Sequence, residues 1–140
     1  MNTTPLDHTP TILIIDDDPS ATKLIGKLLL LKGYKVLTAN TGADGLEKLK
    51  QNPVDLVILD LLMPKMHGWE VCAEIKGFSS VPILIISAID SPKTISKTLD
   101  KGADDFLPKP VTANILLARL ETLIRRYAYE KYATSPLPES

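Results

Sequence analysis

The sequence predicts a doubly wound α/β domain built on a five-stranded parallel sheet. Three observations lead there. Short apolar runs of strand length alternate five times with helix-length segments of helical periodicity. The runs are continuous and rich in β-branched residues, the pattern of strands covered on both faces. The chain has 140 residues, one cysteine and a formal charge of -1, the makeup of one ordinary domain that buries a core without a disulfide or structural metal.

The elements follow in order. Thr11 to Ile15 is the first strand, and it stops at three carboxylates, Asp16, Asp17 and Asp18. Asp18-Pro19 then starts a helix, because aspartate supplies the cap acceptor and proline at the first helical position loses no needed bond. Leu24, Ile25, Leu28 and Leu29 are its expected buried face, and Gly33 ends it. Tyr34 to Ala39 is the second strand. Thr41 with Asp44 three residues on starts a short helix that closes at Asn52-Pro53.

Asp55 to Leu59 is the third strand, and the segment from Asp60 to Gly68 is a loop punctuated by Pro64 and Gly68. Trp69 to Lys76 is the third helix and Val81 to Ile86 the fourth strand. Ser91-Pro92 repeats the cap-and-proline start for a helix ending at Gly102. Asp104 to Pro108 is the last and shortest strand. Thr112 caps a final helix in which Leu116, Leu120, Leu123 and Tyr127 form a seam on one face.

The ends are polar and hold four of the 11 prolines, so residues 1–10 are expected to be a disordered tail. The domain proper is 11–126, and 127–140 is a helix extension followed by a tail or linker. Too little chain remains after Arg126 for an output domain, which leaves a stand-alone domain and a piece of a longer regulator both open. Lys and Arg number 16 against 17 Asp and Glu, so there is no general basic field for nucleic acid or anionic lipid. No apolar run approaches the roughly 18 residues of a spanning helix, and the opening lacks a signal-peptide apolar region, so the expected compartment is the cytoplasm.

Parallel strands joined by right-handed crossovers bring their carboxyl ends to one sheet edge, where ligands bind. That edge carries Asp16-Asp17-Asp18 from the first strand, Asp60 from the third, Ser87-Ala88 from the fourth and Lys109-Pro110 from the fifth. The second delivers only Asn40-Thr41. Crowded carboxylates resist ionising unless a cation sits among them, and a hard, oxygen-seeking ion such as Mg²⁺ suits this supply. His8, His67 and Cys72 have no zinc or iron ligand spacing. With Lys109 and the Ser87 hydroxyl opposite, the cup fits a phosphoryl group. Asp60 stands alone at its strand end before a Pro/Gly loop and is the best nucleophile, whereas adjacent Asp16 and Asp17 suit the metal.

These residues resemble the receiver domains of two-component response regulators, the chemotaxis-type superfamily, over residues 11 to 126. The resemblance implies a flavodoxin-like strand order 2-1-3-4-5 in three α/β/α layers. It implies that Asp16, Asp17 and Asp60 bind Mg²⁺ with the Leu62 carbonyl. Asp60, in a D-x-x-M-P-x-M-x-G loop, is the implied acceptor of phosphate from a sensor histidine kinase or histidine phosphotransfer protein. Ser87 and Lys109 hold the phosphoryl oxygens, and the donor docks near the first helix and the loop after the last strand. A switch is implied too, in which Ser87 moves toward the phosphate and Phe106 turns inward, reshaping the face of helix four, strand five and helix five. The Lys109-Pro110 bond is normally cis in this family.

Two features sharpen the expectation. Leu62 and Ile89, two residues beyond Asp60 and Ser87, are apolar where the family often controls water access, which predicts slow loss of phosphate. The ending LLARLETLIRR resembles receivers that dimerise through helix four, strand five and helix five, with Asp105 and Arg119 as an interface ion pair and Ile95 and Ile115 as an apolar contact. Those isoleucines equally suit the core. Phe106 is equally read as core filler, Asp18 as a helix cap, and Trp69, His67 and Cys72 as structural residues.

The rival enzyme reading takes Asp16-x-Asp18, with Ser87 and Lys109, as loosely similar to haloacid-dehalogenase phosphohydrolases, in which Asp16 would be nucleophile and Asp18 general acid/base. Pro19, the missing cap domain and the lack of any role for Asp60 weigh against it. A receiver reduced to a docking module would lack one of the acidic residues, the acceptor or the lysine, and this chain has them all.

Overall fold

A computed structural model describes residues 8–63, 66–89 and 91–133, with side chains described through 130. Of the tail expected at 1–10 and the extension and tail expected at 127–140, residues 1–7 and 134–140 lie outside the described residues. The elements alternate without interruption: β1 (Thr11–Ile15), α1 (Pro19–Leu31), β2 (Lys35–Ala39), α2 (Gly42–Gln51), β3 (Leu56–Leu59), α3 (Gly68–Lys76), β4 (Ile83–Ser87), α4 (Pro92–Asp100), β5 (Asp105–Pro108) and α5 (Ala113–Ala133). All strand pairs are parallel, and the sheet order is β2-β1-β3-β4-β5, as the resemblance implied.

Strand parity divides the core into two layers. Leu13, Ile15, Val57, Leu59, Ile83 and Ile85 face α2 and α3, where they meet Leu46, Leu49, Val71, Cys72 and Ile75. Ile12, Ile14, Leu56, Ile58, Leu84 and Ile86 face the other way and meet Leu29 of α1 and Leu116, Leu120, Leu123 and Ile124 of α5. This two-sided burial is why the strands are continuously apolar. The α5 seam is thus buried as expected, with Tyr127 half-buried.

Helix starts obey the side chains read from sequence. Asp18 accepts from the Ser20 N–H ahead of Pro19, Thr41 from Asp44 N–H, and Ser91 from Thr94 N–H. Gly33 takes φ of 92°, the left-handed conformation that ends α1.

Several expectations are corrected. Leu24 is not part of the buried face of α1: it is 73% exposed, and the buried residues are Thr22, Gly26 and Leu29, with Ile25 and Leu28 half-buried. Thr22 and Gly26 sit on the inner side of the helix with Leu29, and a Cβ on Gly26 would meet Val36 at 3.6 Å, ordinary van der Waals contact. β3 starts at Leu56, because the Asp55 carboxylate turns back to accept from the Thr11 N–H at 2.8 Å. β4 starts at Ile83, because proline at 82 has no N–H for the ladder, although its carbonyl accepts from Val57 N–H at 3.0 Å.

Candidate functional site

The sheet ladders bring the acidic residues together. β1 and β3 pair as far as Ile15 with Leu59, so the next residue of each strand, Asp16 and Asp60, emerges at the same edge. Their backbones are held there: Asp60 N–H donates to Ile15 carbonyl at 3.0 Å, and Asp16 N–H to Ala39 carbonyl at 3.1 Å. From the other half of the sheet, β4 ends in Ser87, and the Lys109 N–H bonds the Ser87 carbonyl at 2.9 Å. The Lys109–Pro110 peptide is cis, as the resemblance implied.

Lys109 joins the two strand ends electrostatically. Its Nζ lies 2.9 Å from Asp60 Oδ2 and 3.0 Å from Asp16 Oδ2. The remaining carboxylate oxygens take main-chain donors: Asp16 Oδ1 accepts from Asp18 N–H and Asp60 Oδ1 from Leu62 N–H, each at 3.0 Å. Asp16 and Asp60 are buried, whereas Asp17 is exposed beside them. One oxygen from each of these three carboxylates lies within 4.8 Å of the others. Ser87 is fully buried, and its Oγ accepts from Ile89 N–H at 3.3 Å.

Charge in this cup is unbalanced. Burial pushes the Asp16 carboxyl above the usual aspartate value, against the pull of the Asp18 N–H and Lys109, and the neighbouring Asp60 adds to the rise. Burial alone would lower the Lys109 ammonium, but its hydrogen bonds to Asp60 and Asp16 outweigh that and leave it above the ordinary lysine value. Three carboxylates facing one ammonium leave a surplus of negative charge at an all-oxygen donor set, which fits a hard divalent cation and not a zinc-type ion. Cys72 is buried in the core with its thiol pushed up to about 11, and is not a metal ligand here. His67 stacks on Trp69, with ring centroids 6.0 Å apart, and His8 pairs with Asp55 next to the start of β1.

Not everything in the site was legible in sequence. Gly68 reads there as punctuation and as the closing glycine of the Asp60 loop, but its packing role does not: a Cβ on it would lie 2.5 Å from Leu61 Cα and 2.6 Å from the Asp60 carbonyl oxygen. The start of α3 therefore rests directly on the loop carrying Asp60, which only glycine permits. Asn40 and Thr22 also contact the acidic loop without any sequence signal.

The expected switch and interface residues lie on the neighbouring face. Phe106 is half-buried against the layer containing Val57 and Ile85. Ile115 is 49% exposed and Ile95 half-buried, so neither is a core residue. Asp105 and Arg119 form an ion pair within the chain at 2.7 Å. Leu62 is half-exposed beside Asp60, and with Ile89 and Trp69 it lines an adjacent apolar recess. On the opposite side, a groove of about 870 Å³ runs between α1 and the segment 109–116, with Leu24, Leu28, Pro110 and Val111 in its walls.

A parallel sheet presenting an acidic cluster, a hydroxyl and a lysine from four strand ends is the architecture of a receiver domain. The family model for the response regulator receiver domain matches residues 12–121, and the chain belongs to that family. It is 38% identical over 126 residues to "Response regulator MprA" of Mycobacterium sp. (strain KMS), covering 89% of this chain and 55% of the relative. It is 36% identical over 129 residues to "Transcriptional regulatory protein KdpE" of Mycobacterium tuberculosis (strain CDC 1551 / Oshkosh), covering 92% and 57%. The chain thus spans about half the length of these curated relatives. The fold is similar to the solved CheY-like receiver domain protein of Methanospirillum hungatei JF-1, with a TM-score of 0.84 at 27% identity over 88% of this chain and 99% of that one. The protein is a two-component receiver domain. Among the described residues, no helix is long and apolar enough to cross a membrane.

Proposed function

We propose that the chain is a phosphorylation-operated switch in which Asp60 accepts a phosphoryl group from the phosphohistidine of a sensor histidine kinase or histidine phosphotransfer protein, with Mg²⁺. The observation that carries this reading is the Lys109 ammonium, within 2.9 Å of Asp60 and 3.0 Å of Asp16. It pairs the acceptor with the metal-binding side of the cup and leaves a cation where phosphoryl charge would arrive. In the transfer, an Asp60 carboxylate oxygen forms a new O–P bond as the P–N bond to the donor imidazole breaks, the electron pair returning to the ring nitrogen. Lys109 and the Ser87 hydroxyl hold oxygens of the transferring group. Asp16, Asp17, Asp60 and the Leu62 carbonyl would hold Mg²⁺, which supplies neutralisation of phosphoryl and carboxylate charge.

The phosphohydrolase reading fares worse. Asp18, which would be its general acid/base, is committed to capping α1 through the Ser20 N–H, and that reading gives no role to Asp60, which Lys109 holds as closely as it holds Asp16. Intact mass after treatment with acetyl phosphate and Mg²⁺ tests the choice. One added phosphoryl group, lost in Asp60→Asn and absent from peptides lacking residue 60, supports the receiver. Retention in Asp60→Asn, or multiple turnover on phosphomonoesters, overturns it.

The same reading assigns the apolar groove beside α1 to the phosphodonor, and exposed Leu24 is its outermost wall. It assigns the exposed Ile115 and Leu99, with Ile95, to a homodimer through α4, β5 and α5 in the phosphorylated form. Sedimentation with beryllofluoride tests that assembly. Ile115→Glu and Ile95→Glu should shift the balance to monomer; an unchanged balance removes the dimer. The compartment that fits this chemistry is the cytoplasm.

A further inference from the structure

We infer that Asn40, backed by Thr22, is a positioning residue for the Mg²⁺-binding acidic pair; the inference rests on the Mg²⁺-dependent reading above. The β1–β2 ladder ends at Ile15 with Ala39, and its last main-chain bond runs from Asp16 N–H to the Ala39 carbonyl at 3.1 Å. Beyond it β2 turns away, because Thr41 is already capping α2. The Asp16 carbonyl therefore projects past the sheet where no strand neighbour continues, and the Asn40 side chain supplies the donor instead, Nδ2 lying 2.8 Å from it.

The same nitrogen reaches Thr22 Oγ1 at 3.4 Å. Thr22 is 4% exposed, and its hydroxyl donates to the Pro19 carbonyl at 3.0 Å, which orients its oxygen as an acceptor toward Asn40. Asn40 thus ties the end of β1 to the first turn of α1 across the three-aspartate linker.

The carbonyl it holds belongs to the peptide joining Asp16 to Asp17. The Asp16 carboxylate has its own anchors in Asp18 N–H and Lys109. The Asp17 side chain makes no hydrogen bond among the described residues, so its direction is set by the backbone alone. Rotating that peptide would swing the Asp17 carboxylate away from the other two while leaving Asp16 in place. Groups that orient ligands in this way commonly change metal affinity by about 10- to 100-fold.

The test is Mg²⁺ titration calorimetry on the full chain, with urea stability measured separately without Mg²⁺. Asn40→Ala should weaken Mg²⁺ binding about tenfold. Thr22→Val should weaken it less, and the double variant should lose less than the sum, because the two act through one clamp. Asn52→Ala is the control: it deletes a similar side-chain bond, Nδ2 to the Lys48 carbonyl at 2.9 Å, away from the acidic edge. It should lower stability with Mg²⁺ affinity unchanged. If the wild type binds Mg²⁺ and both Asn40→Ala and Thr22→Val bind equally tightly, the positioning role is overturned and the receiver reading stands. If the wild type takes up no Mg²⁺, the underlying reading falls and this one with it.

Discussion

Replacing Lys109 by methionine keeps most of the buried stem and deletes only the charge. In the wild type the ammonium meets two carboxylates at 2.9 and 3.0 Å, on residues 6% and 4% exposed. At an effective dielectric of about 20, each contact at this distance amounts to about 5 kcal/mol of attraction before desolvation is counted. Desolvation and the repulsion between the carboxylates cancel much of that. Breaking a buried pair costs about 3–5 kcal/mol, and the Lys109 side chain keeps 30% of its exposure, so water screens part of the loss. The expected destabilisation without Mg²⁺ near neutral pH is therefore about 2–3 kcal/mol. Two conditions should shrink it. Saturating Mg²⁺ replaces the missing positive charge, and at acid pH an Asp16 carboxyl with a raised pKa takes up its proton sooner than an ordinary aspartate and needs the cation less. Urea unfolding of wild type and variant, at both pH values with and without Mg²⁺, measures all four differences. An equal loss in every condition would show that Lys109 acts by packing, and the electrostatic account of the cup would fail.

The pH dependence of Asp16 has a definite sign. Its folded pKa lies above 3.8, so the native state binds its proton more tightly than the unfolded chain, and its contribution to stability falls as pH rises from 3.8 through the raised value. The stability of Asp16→Asn relative to wild type, measured without Mg²⁺, should therefore increase across that window and then level off; a flat difference contradicts the shift. Gly68→Ala must push Leu61 and the Asp60 backbone aside, costing about 1–3 kcal/mol in urea unfolding and slowing acetyl phosphate incorporation, and wild-type behaviour would refute the close packing. Loss of phosphate from the wild type should be slow, and Leu62→Asn with Ile89→Glu should speed it at least about tenfold, equivalent to about 1.4 kcal/mol of barrier; a wild-type half-life of seconds in saturating Mg²⁺ counts against the apolar shield. Amide hydrogen exchange should be faster in α4 than in α5, and phosphorylation should alter protection in α4 and the 87–91 segment first. Equal protection of both helices would contradict the difference in their anchoring.

The fold was legible because its main determinant is one-dimensional. A run such as Thr11 to Ile15 or Leu56 to Leu59, apolar at every position, can be a strand only where both faces are covered, and such a sheet needs helical crossovers. The strand-end residues were legible for the same reason: the run stops where the polar residue begins, and parallel topology sends all such stops to one edge. The roles of Asn40 and Thr22 were not legible, since they meet through side chains far apart in sequence, and Gly68 was legible as a loop glycine but not as the point where backbone approaches too closely for any side chain. Asn40 reaches the Asp16 carbonyl 24 residues away, and no periodicity announces a single side-chain bond across that gap. Leu24 failed in the other direction. Four large apolar residues on α1 suggested its inner face, yet the buried positions are Thr22, Gly26 and Leu29, and Leu24 is turned out to 73% exposure.

The two faces of the sheet are anchored very unequally near the site, and this bears on what could move. α5 buries Leu116, Leu120, Leu123 and Ile124, each stabilising its position by about 1.5–3 kcal/mol. α4 contributes no residue to either apolar layer; its one buried residue is Thr98, whose hydroxyl donates to the Thr94 carbonyl within the helix. It is also tied by the Lys97 ammonium, 3.9 Å above the Trp69 ring of α3, an interaction of about 0.5–1 kcal/mol where exposed, and at its C-cap by the Cys72 thiol donating to the Lys101 carbonyl at 3.7 Å. A helix held by so little can be displaced by a few kcal/mol of new contacts at Ser87, four residues before its cap, whereas α5 cannot. In the proposed switch, then, the α4 side of the shared face would rearrange against an α5 side that stays fixed. The Asp105–Arg119 pair ties β5 to the immobile half, so Phe106, next in sequence to Asp105 and half-buried, stands at the boundary between the two.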